Sequence, residues 1–201
     1  MKKIIGYFDF LCPYCYLGTN YAHLMQQEIP RVIEWHPIEI HPDLPVEGQP
    51  LEVALPHVKD PVERVKKLRE LAEKINLPVI DDRWVPNTKK ALLAMEFARD
   101  HGKEAAFMPA VFNAYFGSGL DIGNEEVILA LAEAVGLDGE KLKKAWNEGT
   151  YLERLRQNEK ESLMAEVEVV PTLVLDGKKV LAATTTMTFA EYAEKFRQIP
   201  K

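Results

Sequence analysis

The sequence predicts an α/β protein whose small sheet is interrupted by a long helical insert. Three observations carry that expectation. Runs rich in β-branched and aromatic residues lie near the two ends of the chain, over 4–11, 32–40 and 167–181, and read as strands. From about 51 to 163 apolar residues recur at helical spacing and a strand signal is almost missing. The only two cysteines, Cys12 and Cys15, stand as Cys12-Pro13-Tyr14-Cys15 where the first strand gives way to a helix.

Residues 2–10 form the first expected strand. The first helix runs over 13–28: Leu17, Tyr21, Leu24 and Met25 share a face, Pro13 suits a first helical position, and Pro30 follows the end. A second strand spans Val32–Ile40 and is stopped by His41-Pro42-Asp43, after which prolines and Gly48 mark a loop. In the insert, Asp60-Pro61-Val62-Glu63 is a helix start, with an N-cap, proline at N1 and glutamate at N3. Asn87 caps a helix over 88–101. Another covers 104–116, with Pro109 bending or dividing it. Asn124 opens 125–135, Asp138 opens a helix to about Asn147, and Thr150 opens one through Met164. Thr172–Leu175 and Lys178–Leu181 flank Asp176-Gly177, a two-residue hairpin turn. Thr188-Phe189-Ala190-Glu191 is a capping box opening a terminal helix to about Gln198. Residues 1–50 and 164–201 thus belong to one discontinuous domain, and 51–163 to the helical insertion.

The dithiol carries the chemistry. Cys12 falls at the helix start, where unpaired amides and the helix dipole favour a thiolate over a thiol. It is the expected nucleophile. Cys15, almost a turn further in, is the expected resolving thiol. A zinc site is disfavoured: no second cysteine pair exists, and His23, His36, His41, His57 and His101 are scattered without ligand spacing. A structural disulfide would close only a tiny loop and constrain the unfolded chain little. Two inert buried thiols are the remaining alternative. Asp9, three residues before Cys12, could relay protons to Cys15 or cap the amides of the motif; the capping role is the better match to aspartate.

Charge bounds the partners. With 25 Lys and Arg against 31 Asp and Glu, the net charge of −6 and the lack of a basic stripe argue against nucleic acid and anionic membranes. No apolar run is long enough to span a bilayer. Met1-Lys2-Lys3 leads directly into a strand rather than an apolar leader, so a cytoplasmic location is expected, where a C-x-x-C pair rests reduced. No metal and no obligatory cofactor are expected. The sequence leaves monomer or homodimer open. One further feature stands out: Pro171 precedes a strand that reads as central, and is either a cis proline at a tight turn or a trans proline starting an edge strand.

Several stretches together resemble the DsbA-like thioredoxin-fold family, and within it the FrnE branch, with 2-hydroxychromene-2-carboxylate isomerases (kappa-class glutathione transferases) as relatives. They are 9–18 around the dithiol, Trp35–Pro42, Asn87–Ala91, Ala114–Phe116 with Leu120–Gly123, and Val170-Pro171-Thr172. The resemblance implies a thioredoxin fold interrupted by an all-helical insertion domain. It also implies a cis Pro171 facing the dithiol, Pro13, Tyr14 and Asp9 in support, and Val170 and Thr172 as substrate-binding positions, with the Val170 backbone pairing to the substrate. The implied activity is thiol-disulfide exchange on protein or small-thiol disulfides, with glutathione as a candidate co-substrate. A glutathione-dependent transferase or isomerase, and a non-catalytic redox-sensing module, are the alternatives. Cys12 stands where the isomerases typically carry serine. Glu166 and Val169 replace family glycines, and 182–186 replace a glycine-containing segment, all beside the expected substrate edge.

Overall fold

The computed structural model describes residues 3–56, 60–80, 84–184 and 186–200. Lys2, His57 and Thr185, which entered the sequence reading, lie outside the described residues. Four strands form the main sheet, β1 (Ile4–Phe8), β2 (Ile33–Pro37), β5 (Thr172–Leu175) and β6 (Lys178–Ala182), in the order β2-β1-β5-β6. β1 runs parallel to β2 and antiparallel to β5, and β5 pairs antiparallel with β6. The connection from β1 to β2 is α1 (Pro13–Glu28). This is the thioredoxin fold the sequence implied.

Both opening strands are shorter than their apolar runs. β1 ends at Phe8 because the chain turns at once, Cys12 N–H donating to the Asp9 carbonyl at 3.1 Å. β2 ends at Pro37, which has no N–H to continue a ladder; one last bond, Ile38 N–H to the Phe8 carbonyl, holds the exit of β2 against β1. The hairpin turn forms as read: Asp176 and Gly177 take φ of 51° and 75°, the left-handed pair a tight antiparallel turn needs. Gly6 faces Trp35 across the β1–β2 pair, and a Cβ there would lie 2.4 Å from the indole.

The insert comprises α2 (Leu51–Ala54), α3 (Pro61–Glu73), α4 (Lys89–Asp100), α5 (Glu104–Phe112), α6 (Glu125–Ala134), α7 (Gly139–Glu148) and α8 (Leu152–Met164). A small antiparallel pair, β3 (Gln49–Pro50) just before the insert with β4 (Trp84–Val85) inside it, is too short to leave a periodicity in sequence. Pro109 stays inside α5, and a π-helical turn, 113–117, follows directly. Thr150 does not open α8. Gly149 ends α7 in the left-handed region, Thr150 N–H returns to the Ala145 carbonyl, and Tyr151 becomes the cap. Asp60, Asn124, Asp138 and Thr188 cap as expected, Thr188 and Glu191 forming the full capping box of α9 (Phe189–Gln198).

α1 is buried on two faces, and this is what locks the site in place. Tyr16 turns toward the insert, where its ring packs 5.9 Å from Phe112, itself 4.9 Å from Phe10. Leu17, Tyr21 and Met25 turn the other way, into a cluster with Leu173, Tyr192 and Phe196. The first cluster is continuous from Phe8, Phe10, Cys12 and Cys15 through Leu92, Phe107 and Leu155, so the dithiol sits at the seam between sheet and helices. A buried carboxylate, Glu96, ties that seam. It accepts from Asn158 Nδ2 at 2.7 Å and from Arg99, and Arg154 approaches to 3.4 Å. Asn158 also donates to the Pro37 carbonyl at the end of β2.

Candidate active site

Cys12 is the N-cap of α1, with extended backbone (φ −80°, ψ 115°), and Pro13 opens the helix. The first α1 amides are directed to the cap: Cys15 and Tyr16 N–H donate to the Cys12 carbonyl at 3.0 and 3.2 Å. Both cysteines are free thiols. Their burial differs in the expected sense but narrowly, Cys12 being 6% exposed and Cys15 fully buried. Burial pushes the Cys15 thiol well above the ordinary range. The neighbouring Cys12 raises it further, against a lowering hydrogen bond from the Asp9 amide. The two sulfurs are therefore unequal: the outer one opens on a cavity, while the inner one is held protonated.

The Val170–Pro171 peptide is cis. It stands across from the dithiol, with Cys12 Sγ donating to the Val170 carbonyl at 3.4 Å. Gly18 makes this approach possible: a Cβ there would lie 2.5 Å from Pro171 Cγ, closer than two carbons can stand. The Pro171 carbonyl accepts from Ala183 N–H at 3.0 Å, anchoring the loop to the end of β6. Thr172 is fully buried, outside the cavity lining, and its hydroxyl donates to the Val169 carbonyl at 2.7 Å. Glu166 has φ of 54°, a left-handed conformation that costs a residue with a Cβ.

Asp9 lies beneath the motif, fully buried. One carboxylate oxygen accepts from Leu11 N–H at 3.0 Å and the Thr88 hydroxyl at 2.8 Å, and the other from Ile40 N–H at 2.9 Å. Those bonds join the dithiol turn, the exit of β2 and the start of α4. Thr88 is thus spent on Asp9, and Asn87 Oδ1 caps α4 instead, accepting from Lys89 N–H at 3.0 Å. Burial nevertheless dominates and pushes the Asp9 carboxyl up to about 6, the three hydrogen bonds opposing it and the charge of Glu39 adding to it.

A carboxyl whose folded pKa exceeds its unfolded one binds protons more tightly when folded. Its contribution to stability is therefore present below about pH 4 and lost as pH rises through about 6. The stability of wild type minus that of Asp9→Asn is expected to fall by roughly 2–3 kcal/mol between pH 4 and pH 7, at 1.36 kcal/mol per unit. Urea unfolding at each pH measures it, and a flat difference would place the charge of Asp9 outside the core.

In front of Cys12 and Tyr14 lies a cavity of about 920 Å³, walled by Pro13, Tyr115, Phe116, Leu163, Val169 and Val170 among others. Among the described residues no group of three or more His, Cys, Asp or Glu is placed to hold a metal, and no helix is long and apolar enough to cross a membrane. Of the sequence-predicted residues, the fold brings Asp9, Cys12, Pro13, Tyr14, Cys15, Val170 and Pro171 together, with the Thr172 side chain turned inward. Sequence reasoning gave no role to Gly18, Thr88 or Ile40. Asn87 was read as the cap of its helix, but Thr88 only as part of a stretch of family likeness, and the need for a small residue at 18 appears only once α1 meets Pro171.

A free dithiol at a helix start, opposite a cis proline that leads into the interior strand β5 of a β2-β1-β5-β6 sheet, defines a thioredoxin-fold thiol centre. The chain belongs to the DSBA-like thioredoxin domain family, whose model matches residues 3–194. Among curated relatives it is 29% identical over 177 residues to the uncharacterised protein YwbO of Bacillus subtilis, covering 84% of each chain. It is 28% identical over 155 residues to 2-hydroxychromene-2-carboxylate isomerase of Sphingobium xenophagum, covering 70% of this chain and 72% of that one. Among solved structures it superposes on a "probable DsbA oxidoreductase", SCO1869 of Streptomyces coelicolor, with a TM-score of 0.86 at 18% identity, over 100% and 92% of the two chains. The cytosolic disulfide reductase DsbM of Pseudomonas aeruginosa, solved with GSH, gives 0.71 at 17% identity over 98% of each. At such identities the structural likeness speaks for the fold, and it agrees with the branch the sequence resembles.

Proposed function

We propose that the protein is a thiol-disulfide oxidoreductase working through Cys12 and Cys15. The observation that carries this reading is the pair of free thiols at the start of α1, the outer one at the cavity beside a cis proline and the inner one buried. The Cys12 thiolate attacks one sulfur of a substrate disulfide. The other substrate sulfur leaves as a thiolate and takes a proton from solvent. Cys15 then loses its proton and attacks Cys12 Sγ, expelling the second substrate thiol and leaving a Cys12–Cys15 disulfide. Two electrons pass to the substrate, and two molecules of a thiol such as glutathione restore the enzyme and leave joined as their own disulfide, as co-substrate rather than resident cofactor. Asp9 holds the turn that carries Cys12. Pro13 and Tyr14 shape the mouth, the Val170 backbone pairs with the substrate chain, and Thr172 fixes the loop through Val169.

The division into a discontinuous thioredoxin-like domain (1–50, 164–201) and a helical insertion (51–163), the cytoplasmic location, and the lack of nucleic-acid or membrane partners complete this reading. A cytosolic relative in fold supports the location. A glutathione-dependent isomerase is the second reading, favoured by the likeness to 2-hydroxychromene-2-carboxylate isomerase. In that case Cys12 would only hold the glutathione sulfur, and Cys15 would be dispensable.

The need for Cys15 separates them, and alkylation tests the order of the two sulfurs. At neutral pH iodoacetamide is expected to label Cys12 at least about tenfold faster than Cys15, as the thiolate is the reacting species and Cys15 is buried and held protonated. Turnover of 2-hydroxyethyl disulfide with glutathione is expected to need both thiols. Equal labelling, or full turnover by Cys15→Ser, would remove the dithiol mechanism.

A further inference from the structure

The cavity in front of Cys12 is charged unevenly. Three carboxylates line it: Glu39 just beyond β2, Glu159 on α8, and Glu168 in the loop before Val170. Arg64 on α3 is the one lysine or arginine among the described lining residues. Glu39 is 6% exposed and is answered by Lys89 at 3.4 Å. Glu168 is 85% exposed and stands 4.0 Å from Lys179, a pairing that water screens. Glu159 is half-buried and receives the Glu39 amide, and no described cation stands within ion-pair distance of it. Glu159 on α8 and Glu168 in the loop therefore bring negative charge, only partly offset by Lys89, Arg156 and Lys179, to the cavity that Cys12 lines.

The same wall is apolar beyond the cavity. Leu163 and Val169 line it while remaining 74% and 54% exposed, and Met164 beside them is 75% exposed. A small thiol seated at Cys12 would leave Leu163 and Met164 wet, whereas an extended chain paired along Val170 would pass over them. We propose that this wall sets the substrate of the dithiol: a disulfide in an extended polypeptide segment with a large apolar residue beside its cysteine and a lysine or arginine on the flank that meets Glu159 and Glu168. The inference rests on the oxidoreductase reading. The apolar side chain fills the cavity, and the cation relieves the charge of Glu159 while its stem covers Leu163. An acidic segment meets the same wall with like charge and is excluded, so selectivity comes from repulsion as much as attraction.

The test uses the whole protein and two peptides with a Phe-Cys core, flanked on both sides by lysine or by glutamate, each in mixed disulfide with a fluorogenic thiol. The lysine peptide is expected to react about tenfold faster in kcat/KM at low salt, with the ratio shrinking several-fold as salt screens the rim. Glu168→Lys, at an exposed position that leaves the core alone, is expected to reduce the ratio about threefold or more, and Glu159→Gln to reduce it in the same direction. Equal rates for the two peptides, a ratio indifferent to Glu168→Lys, or faster turnover of glutathione disulfide than of the lysine peptide would each overturn the inference. Reduction of neutral 2-hydroxyethyl disulfide, measured in parallel, reports the dithiol by itself; its absence would overturn the oxidoreductase reading. In that event fluorescence anisotropy of the same peptides without the disulfide still decides the charge preference.

Discussion

Replacing Cys12 by serine is expected to bring insulin reduction down to the uncatalysed background, a loss on the order of a thousandfold or more, because a serine hydroxyl is not ionised at neutral pH. The sulfur expected to attack is the one that lines the cavity, and Cys15, the only other cysteine, is fully buried and cannot replace it. Cys15→Ser is expected to fail differently. It keeps the outer sulfur and so still attacks, but nothing resolves the product, and mixed disulfides with substrate accumulate on Cys12. Mass spectrometry under acid quench measures this. A Cys12→Ser protein that retains a tenth of wild-type turnover, or a Cys15→Ser protein that releases its substrate as fast as wild type, would reverse the assignment of the two sulfurs.

The largest expected effect on stability lies away from the dithiol, at Glu96. This carboxylate is fully buried and serves Asn158, Arg99 and Arg154 together. Glu96→Ala leaves the Asn158 amide short of an acceptor and Arg99, which is 15% exposed, without its nearest counter-charge. Removing one partner of a buried pair costs about 3–5 kcal/mol. Because Arg154 retains Asp100 at 2.6 Å, the lower end applies, about 3 kcal/mol. Glu96→Gln keeps the shape and an acceptor for Asn158, so it is expected to lose less. Urea unfolding would register both as a lower midpoint at unchanged slope. A midpoint for Glu96→Ala equal to wild type would mean that α4, α8 and β2 are held by apolar packing alone.

These two sites were not equally legible in the sequence. Cys12 and Cys15 could be read directly, since a C-x-x-C pair between a strand pattern and a helix pattern fixes its own local geometry. Proline at N1 and the Asp176-Gly177 turn are local in the same way. Asp9 was visible, with capping of the motif's amides put ahead of a proton relay. Its three donors come from Leu11, Thr88 and Ile40, and two of these are remote in sequence. Glu96 gave no signal beyond a helix with mixed faces, because only Arg99 among its partners is near in sequence, and Arg154 and Asn158 lie some 60 positions away.

By itself the sequence determined the dithiol, the helix that begins at it, the hairpin, the capped helices of the insert and the family. All of these follow from interactions within about four residues or from a motif. The tertiary structure alone decided that Gly18 must be small against Pro171, that Thr88 serves Asp9 rather than its own helix, and that α8 brings Glu159 and Leu163 to the cavity at Cys12. The physical reason is the same in each case. Burial and contact between distant segments set these properties, and no spacing along one segment encodes the surface it will meet.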